Sequence, residues 1–421
     1  MIYSRIYFFI GIVFIAALQC LSPRVVVAGS QGPQYLIFQM FLGGPGGGDV
    51  FRRGATKDDM LQFARRIKDT VRPTSVHPNR ILGFSIGPIT MDEGENDVRS
   101  VIRDAFDVAL ATDMAVALHL DDYMMWAQAR LPDGRLLRTV QGSAEWSDWS
   151  RTPAGRLQIG WLANAQLAPQ LCYENPEVKD FTVHWTRDVI GREVRQQFDR
   201  LVQAGKEKLF AGVIIGWESN LAQGYCSLSY LGYSGRNPPA DFDRERERIL
   251  QRHIERWAKG IYDAGVPKER IFTHIGPIPR RAYEQMTAMM PRSRIREIPQ
   301  STAFRAYWTA FNVYSNPGFS VYPDQDSFED IYQSLQHYGG RSWALAEGTN
   351  LTLGSPPTQS PLTWEGYLAR SFNHGAAIVN LFGGFLGSGS GEFGRATENP
   401  EAIAAYRKFL RGDTLIENVA R

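Results

Sequence analysis

Cysteine is scarce in this chain: there are three among 421 residues, with no Cys-x-x-Cys pair and no Cys/His cluster, so a structural zinc site is not expected. A surplus of one charge is also missing. The 46 Lys and Arg against 44 Asp and Glu leave a formal net charge of +2, without a long basic stretch, which gives no electrostatic reason to expect nucleic acid as a partner. No Pro- or Ser-rich linker or composition shift divides the chain, and no repeat recurs at a period of roughly 20–50 residues. The glycine run Gly43-Gly44-Pro45-Gly46-Gly47-Gly48 lacks the Gly-Lys-Ser/Thr ending of a phosphate loop and the spacing of a dinucleotide site. Hydrophobic residues are not scarce: they make up 43% of the chain, which with ten Trp is ample for a packed core.

The chain opens on a long apolar run. Arg5 precedes an uncharged stretch from Ile6 to Leu21, and Val26-Val27-Ala28 offers small residues for cleavage before Gly29. Residues 1–28 are therefore expected to be an export signal and 29–421 a single secreted or periplasmic domain. An uncleaved anchor is the alternative, because the run approaches the ~18 residues of a spanning helix. Gln19 stands where a lipidated cysteine at Cys20 would usually follow a small residue. Cys172 and Cys226 remain, to be read either as one disulfide or as two half-buried thiols.

After residue 28, short β-branched or aromatic runs alternate with longer amphipathic segments, the order of parallel strands joined by crossover helices. Strands are predicted at 35–41, 81–86, 114–120, 210–217, 270–274, 318–322, 342–346 and 376–381. Helices are predicted at 57–71, 97–111, 176–204, 241–264, 280–290, 327–338, 363–373 and 400–410. Thr56 and Asn399-Pro400 stand as helix-start signals, and Gly205, Gly265, Gly339 and Gly412 fall near helix ends. Eight β-then-α units without a linker predict an α/β fold, a closed (β/α)8 barrel with long insertions after strands three (121–175), four (219–240) and eight (383–399). These follow strand C-termini, the side on which barrel enzymes build their sites.

The fourth strand is an apolar run that ends abruptly in Trp217-Glu218, and the seventh ends in Ala346-Glu347. A buried strand has no structural use for such an acid. Glutamates at the tips of strands four and seven project into one cleft, an arrangement suited to glycosidic bond cleavage, where one carboxyl protonates the leaving oxygen and the other attacks or stabilises the sugar cation. Trp217 and Trp343, from the same strands, would help to desolvate the pair and meet the substrate. The bland alternative is that each Glu caps its strand and binds an Arg.

On these two positions and the barrel order, the mature chain resembles the clan A glycoside hydrolases, without a particular family. The resemblance implies that Glu218 is the acid/base and Glu347 the nucleophile of a retaining mechanism without metal or organic cofactor. Many clan members carry Asn before the acid/base; here Trp217 stands in that place. The β-amylase family uses the same two strands but inverts configuration.

His119-Leu120-Asp121-Asp122-Tyr123 closes the third strand with polar groups, and His119, Asp121 and Asp122 are expected to hydrogen-bond sugar hydroxyls. Gln39, His274 and Asn380 end other strands and, with Tyr322, are expected to meet the substrate, Tyr322 also bonding the nucleophile. Trp126, Trp146, Trp149, Trp161 and Tyr173 crowd the insertion after strand three, as stacking platforms for pyranose rings, Trp126 foremost, or as a small satellite core. The glycine runs 43–48 and 383–394 are expected as flexible loops at the cleft rim, the second a candidate lid, and Asp241 to Arg248 as a solvated helix face. Two rivals stay open: a silent carbohydrate-binding barrel, and a metal-dependent barrel hydrolase using His119, Asp121 or Asp122 and His274.

Overall fold

Buried runs rich in aliphatic and aromatic residues form eight strands: β1 (Gln34–Phe41), β2 (Arg80–Ile89), β3 (Ala115–Leu120), β4 (Phe210–Ile215), β5 (Ile271–Thr273), β6 (Gly318–Val321), β7 (Trp343–Gly348) and β8 (Ala376–Leu381). The computed structural model describes residues 32–42, 54–157, 167–278, 304–322, 327–340, 342–350, 362–381 and 399–417, with 280, 284, 288 and 397 as isolated positions. Outside them lie the expected export signal with Cys20, both glycine runs, Trp161 and most of the helix expected at 280–290.

The strands pair in parallel in the order β5-β4-β3-β2-β1-β8-β7-β6. Two parallel bridges, Phe272 with Asn316 and Ile275 with Phe319, join the two ends. The amides of Thr273 and Ser320 donate across this seam to the carbonyls of Asn316 and Ile275, both at 3.0 Å. The sheet is therefore a closed barrel, and the fold is the (β/α)8 barrel that the strand count predicts.

The connecting helices are α1 (Lys57–Val71), α2 (Glu95–Thr112), α3 (Pro176–Val183), α4 (Arg192–Gln203), α5 (Tyr225–Tyr230), α6 (Phe242–Asp263), α7 (Ser327–Tyr338), α8 (Trp364–Phe372) and α9 (Pro400–Arg411). Thr56 starts α1 in a reciprocal capping box with Asp59, and Asn399 caps α9 through the amides of Glu401 and Ala402. Gly412 ends α9 at φ 82°, a left-handed conformation open to glycine. The single helix expected at 176–204 is divided: residues His184–Gly191 form a π-helical stretch between α3 and α4. There Gly191 and Gly260 let this stretch and α6 approach closely, because a Cβ at Gly260 would fall on the Thr186 hydroxyl. Among the described residues no helix is long and apolar enough to cross a membrane.

Inside the barrel Tyr35, Ile37, Ala115, Ala117, Phe272, Ala344, Ala346 and Ile378 belong to one compact apolar cluster, while a larger one fills the space between strands and helices. Side chains alternate along a strand, so the next inward positions above these apolar layers are Gln39, His119, His274 and Asn380. The interior changes from apolar to polar at that level.

One expectation is corrected here. The charge run at Asp241 to Arg248 is only half solvated, because Arg246 and Glu247 are buried. Arg246 binds the carbonyls of Leu221 and Ala222, and Glu247 accepts from Trp308 Nε1 at 2.9 Å. Start of α6 and loop after β4 are thereby tied together.

Candidate active site

Strand β4 stops at Ile215, two residues short of the predicted end, because the backbone turns sharply: Gly216 has φ 101° and Glu218 has φ 57°. Positive φ is costly for a residue with a Cβ and persists only where the surroundings hold it. Gly276 supplies part of that hold: an added Cβ there would lie 3.0 Å from Glu218 Cβ and Cγ. Glu347 instead lies inside β7, beyond the predicted strand end, paired with Ser320 of β6 where that strand pair shifts register.

Both carboxyls sit on the polar layer. Glu347 is buried; its Oε1 accepts from the Tyr322 hydroxyl at 3.2 Å and its Oε2 from Gln39 Nε2 at 3.5 Å. Glu218 is half-buried, and its Oε1 lies 2.7 Å from Ser320 Oγ. Between them runs a line of buried polar groups. Gln39 Oε1 is 2.9 Å from His119 Nδ1, His119 Nε2 is 2.9 Å from His274 Nδ1, and His274 Nε2 is 2.8 Å from Ser320 Oγ. Asn380 braces Gln39, donating through Nδ2 at 2.7 Å to Gln39 Oε1 and at 2.7 Å to the Ala346 carbonyl. Ser85 Oγ in turn donates to Asn380 Oδ1 at 2.8 Å.

Burial, and then the charge of Glu218, push Glu347 up to about 8, against the donors Tyr322 and Gln39. Near neutral pH the two carboxyls therefore keep one proton between them. Burial and both carboxylates hold the Tyr322 phenol well above its usual range, so it remains a donor. Burial and the neighbouring His274 hold His119 well below the usual histidine value, and burial takes His274 down to about 3; both rings are neutral. Such a pair, one carboxyl protonated and one charged at the same end of the barrel, can give a proton and a nucleophile or base to the same bond.

Gln39, His119, Trp217, Glu218, His274, Tyr322, Glu347 and Asn380 are thus brought together. Trp217 is buried and stacks on His119 with ring centres 4.1 Å apart, its edge region against Phe41, so it forms the bed of the site and leaves little face for a sugar. The other expected substrate contacts go elsewhere. Trp343 begins β7, four residues before Glu347, and its Nε1 donates to the His374 carbonyl below β8; it packs in the outer core at the far end of the strand. Asp121 accepts from the amides of Tyr123, Met124 and Met125 at 2.9–3.0 Å and organises the turn after β3. Asp122 is buried with its Oδ2 3.2 Å from His253 Nε2. Trp126 is buried and donates to the Pro169 carbonyl at 2.8 Å, and Tyr173 stacks on His253 at 3.7 Å, so this part of the insertion packs into the large core between strands and helices.

Ser320 and Ser85 escaped the sequence reading. Counting alternate residues along β6 from Gly318 gives Ser320 and Tyr322 the same face, a signal that lay in the strand period. The residues weighed as metal ligands are otherwise engaged: both His119 nitrogens face Gln39 and His274, and Asp121 faces backbone amides. Among the described residues no group of three His, Cys, Asp or Glu side chains is gathered for a metal. Cys172 and Cys226 form a disulfide that links the insertion after β3 to α5. Beside it the buried Glu145, pushed up to about 7 by burial, accepts from the first amides of α5 at Cys226 and Ser227.

No family model matches this chain, and no curated protein sequence matches it significantly. Among solved structures it is similar to the catalytic domain of a β-amylase from Paenibacillus polymyxa, with 11% identity over 90% of this chain and 100% of the other, at a TM-score of 0.46. A GH5-4 broad specificity endoglucanase from an uncultured bacterium aligns at 9% identity over 90% of this chain and 94% of the other, with a TM-score of 0.43. A D-psicose 3-epimerase aligns at 10% identity over 90% and 99%, with a TM-score of 0.37. Likeness at this level extends to barrels of different chemistry, and the functional reading rests on the side chains.

Proposed function

We propose that this chain is an exported O-glycoside hydrolase acting on an oligo- or polysaccharide through Glu218 and Glu347. The observation that carries the reading is the placement of Glu218 and Glu347 at the polar end of the barrel, joined through Ser320, His274, His119 and Gln39, where burial and the charge of Glu218 raise the proton affinity of Glu347. Glu218 donates its proton to the glycosidic oxygen as the bond to the anomeric carbon breaks. Ionised Glu347 attacks that carbon and forms a glycosyl ester. Glu218, now a carboxylate, takes a proton from the water that releases the sugar, so configuration is retained. Tyr322 supports this assignment, since its hydroxyl donates to Glu347 and stabilises the charged form. The reaction uses no metal or organic cofactor. Residues 1–28 act as the export signal, and 29–421 form the catalytic barrel.

The test is a screen of the mature protein against diverse glycans, with Glu218→Gln and Glu347→Gln as controls. A product formed by the wild type and reduced about 10²–10⁴-fold or more in each variant supports the reading. Turnover that survives either replacement overturns it, and carbohydrate binding without turnover would favour a silent barrel.

A further inference from the structure

We infer that Gln39, His119, His274 and Ser320 form a one-way hydrogen-bond chain between the two carboxyls that holds their shared proton on Glu218. The polarity follows from counting hydrogens, starting at a group whose role has no alternative. The Ala346 carbonyl can only accept, so the Asn380 atom 2.7 Å from it is the amide nitrogen, whose second hydrogen goes to Gln39 Oε1. The Gln39 amide nitrogen must then face Glu347, and Gln39 Oε1 must also accept from His119, 2.9 Å away. His119 therefore carries its hydrogen on Nδ1. Being neutral, it presents a bare Nε2, which His274 fills with its own Nδ1 hydrogen at 2.9 Å. His274, also neutral, presents a bare Nε2 to Ser320 Oγ at 2.8 Å. Ser320 has one hydrogen: given to Glu218 it would leave the fully buried His274 Nε2 without a donor, so the chain requires it on His274. The 2.7 Å contact between Ser320 Oγ and Glu218 Oε1 is then closed by a hydrogen on Glu218.

The Gly216 carbonyl faces both imidazoles as a further acceptor; an Nε2–H on His119 aimed at it would leave a bare Nδ1 against Gln39 Oε1, and this is the competing arrangement that the tautomers distinguish. Tyr123 and Tyr322, the phenols coupled to Glu218, are kept protonated by burial and add no acceptor of their own hydrogens' making. Burial alone would favour the proton on Glu347, the more enclosed carboxyl. The chain opposes this by aiming the Gln39 amide, beside the Tyr322 hydroxyl, at Glu347, and by sending the Ser320 hydrogen away from Glu218. If Glu218 loses its proton, Ser320 faces two acceptors with one hydrogen, and one buried acceptor goes unmet.

The polarity of the chain does not depend on the reaction; the acid role of Glu218 rests on the hydrolase reading. The four residues are positioning residues, acting through the carboxyls at either end. The test uses ¹⁵N-resolved NMR of the full chain, whose seven histidines can be assigned by replacing each in turn. Free imidazole prefers the Nε2–H form, so the expected result, neutral Nδ1–H forms for both His119 and His274 near pH 7, is specific to the chain. An Nε2–H form or an imidazolium at either position would overturn it. The measurement needs no substrate and decides the chain even if no glycan is cleaved.

A second readout is the pH profile of turnover. If Ser320 accepts from Glu218, Ser320→Ala removes a partner of the protonated acid, and the basic limb of kcat/KM moves down by about one pH unit. If Ser320 instead donates to a Glu218 carboxylate, the same variant moves the limb up, and an upward or absent shift would overturn the proposal. Ser320→Thr, which keeps the hydroxyl, is expected to restore the wild-type limb.

Discussion

Ser320 is the register partner of Glu347 across β6 and β7, yet its hydroxyl lies 2.7 Å from a carboxyl oxygen of Glu218. One small side chain thus stands in the ladder next to one acid and in the hydrogen-bond shell of the other. The site is held together by the barrel wall itself, so changes that leave the wall intact can still retune it.

Tyr322→Phe tests the donor on Glu347. Its hydroxyl at 3.2 Å favours the carboxylate, so removing it raises the proton affinity of Glu347. On the hydrolase reading Glu347 must be ionised to attack, and the acidic limb of kcat/KM is expected to move up by about one pH unit. Activity below neutral pH falls most. An unmoved limb would remove Tyr322 from this role.

Gly276→Ala probes how tightly Glu218 is seated. The added Cβ would stand 3.0–3.1 Å from Glu218 Cβ, Cγ and Cδ, close enough that the carboxyl must shift. A displacement of a few tenths of an ångström is expected to lower kcat by about 10–100-fold. The melting temperature should change little, because Gly276 and the Glu218 side chain that takes up the strain are both only half-buried.

Stability should depend on pH with a sign set by the pair. The value of about 8 to which Glu347 is raised belongs to the proton it shares with Glu218, so the folded pair keeps one proton that the unfolded chain loses near 4.5. Stability is therefore fully present below about pH 4.5 and falls as pH rises toward 8. His119 and His274 act oppositely, being depressed from 6.5: they cost stability as pH falls below that value and contribute no slope above it. Asp121 and Glu145, each raised to about 7, add to the decline through neutrality. Their contribution is common to wild type and Glu347→Gln, so the difference between the two reports the pair. Thermal melts between pH 7 and 8 should show a steeper fall of the midpoint in wild type than in Glu347→Gln, which gains several degrees at pH 8.

Reducing the disulfide, or replacing Cys172 and Cys226 by Ser, should destabilise the protein. The bond spans 54 residues, for which loop-closure entropy alone gives about 4 kcal/mol. Denaturant midpoints measured with and without reductant give the difference directly.

Much of the architecture could be read from the chain, because strand and helix periods are local properties. Glu218 and Glu347 stood out for the same reason: each interrupts an apolar run. The turn acid Asp121 stood out equally well, since nothing local distinguishes a carboxylate aimed at a cleft from one that gathers three backbone amides. Trp343 misled because proximity in sequence to Glu347 is four residues along a strand, which is the length of the barrel wall from its floor to its mouth. Ser320 looked like an ordinary strand serine. Its importance comes from His274 and Glu218, each far away in sequence, and only closure of the barrel brings them together.

That closure is uneven. β5 has three residues and meets β6 through two isolated bridges, whereas every other pair of neighbouring strands is joined by a ladder. The contact of His274 with Ser320 crosses this thinnest stave of the cask. A brief parting of the wall there would separate the two rims of the relay while the remaining staves stayed joined, so the site would come apart long before the protein lost its shape.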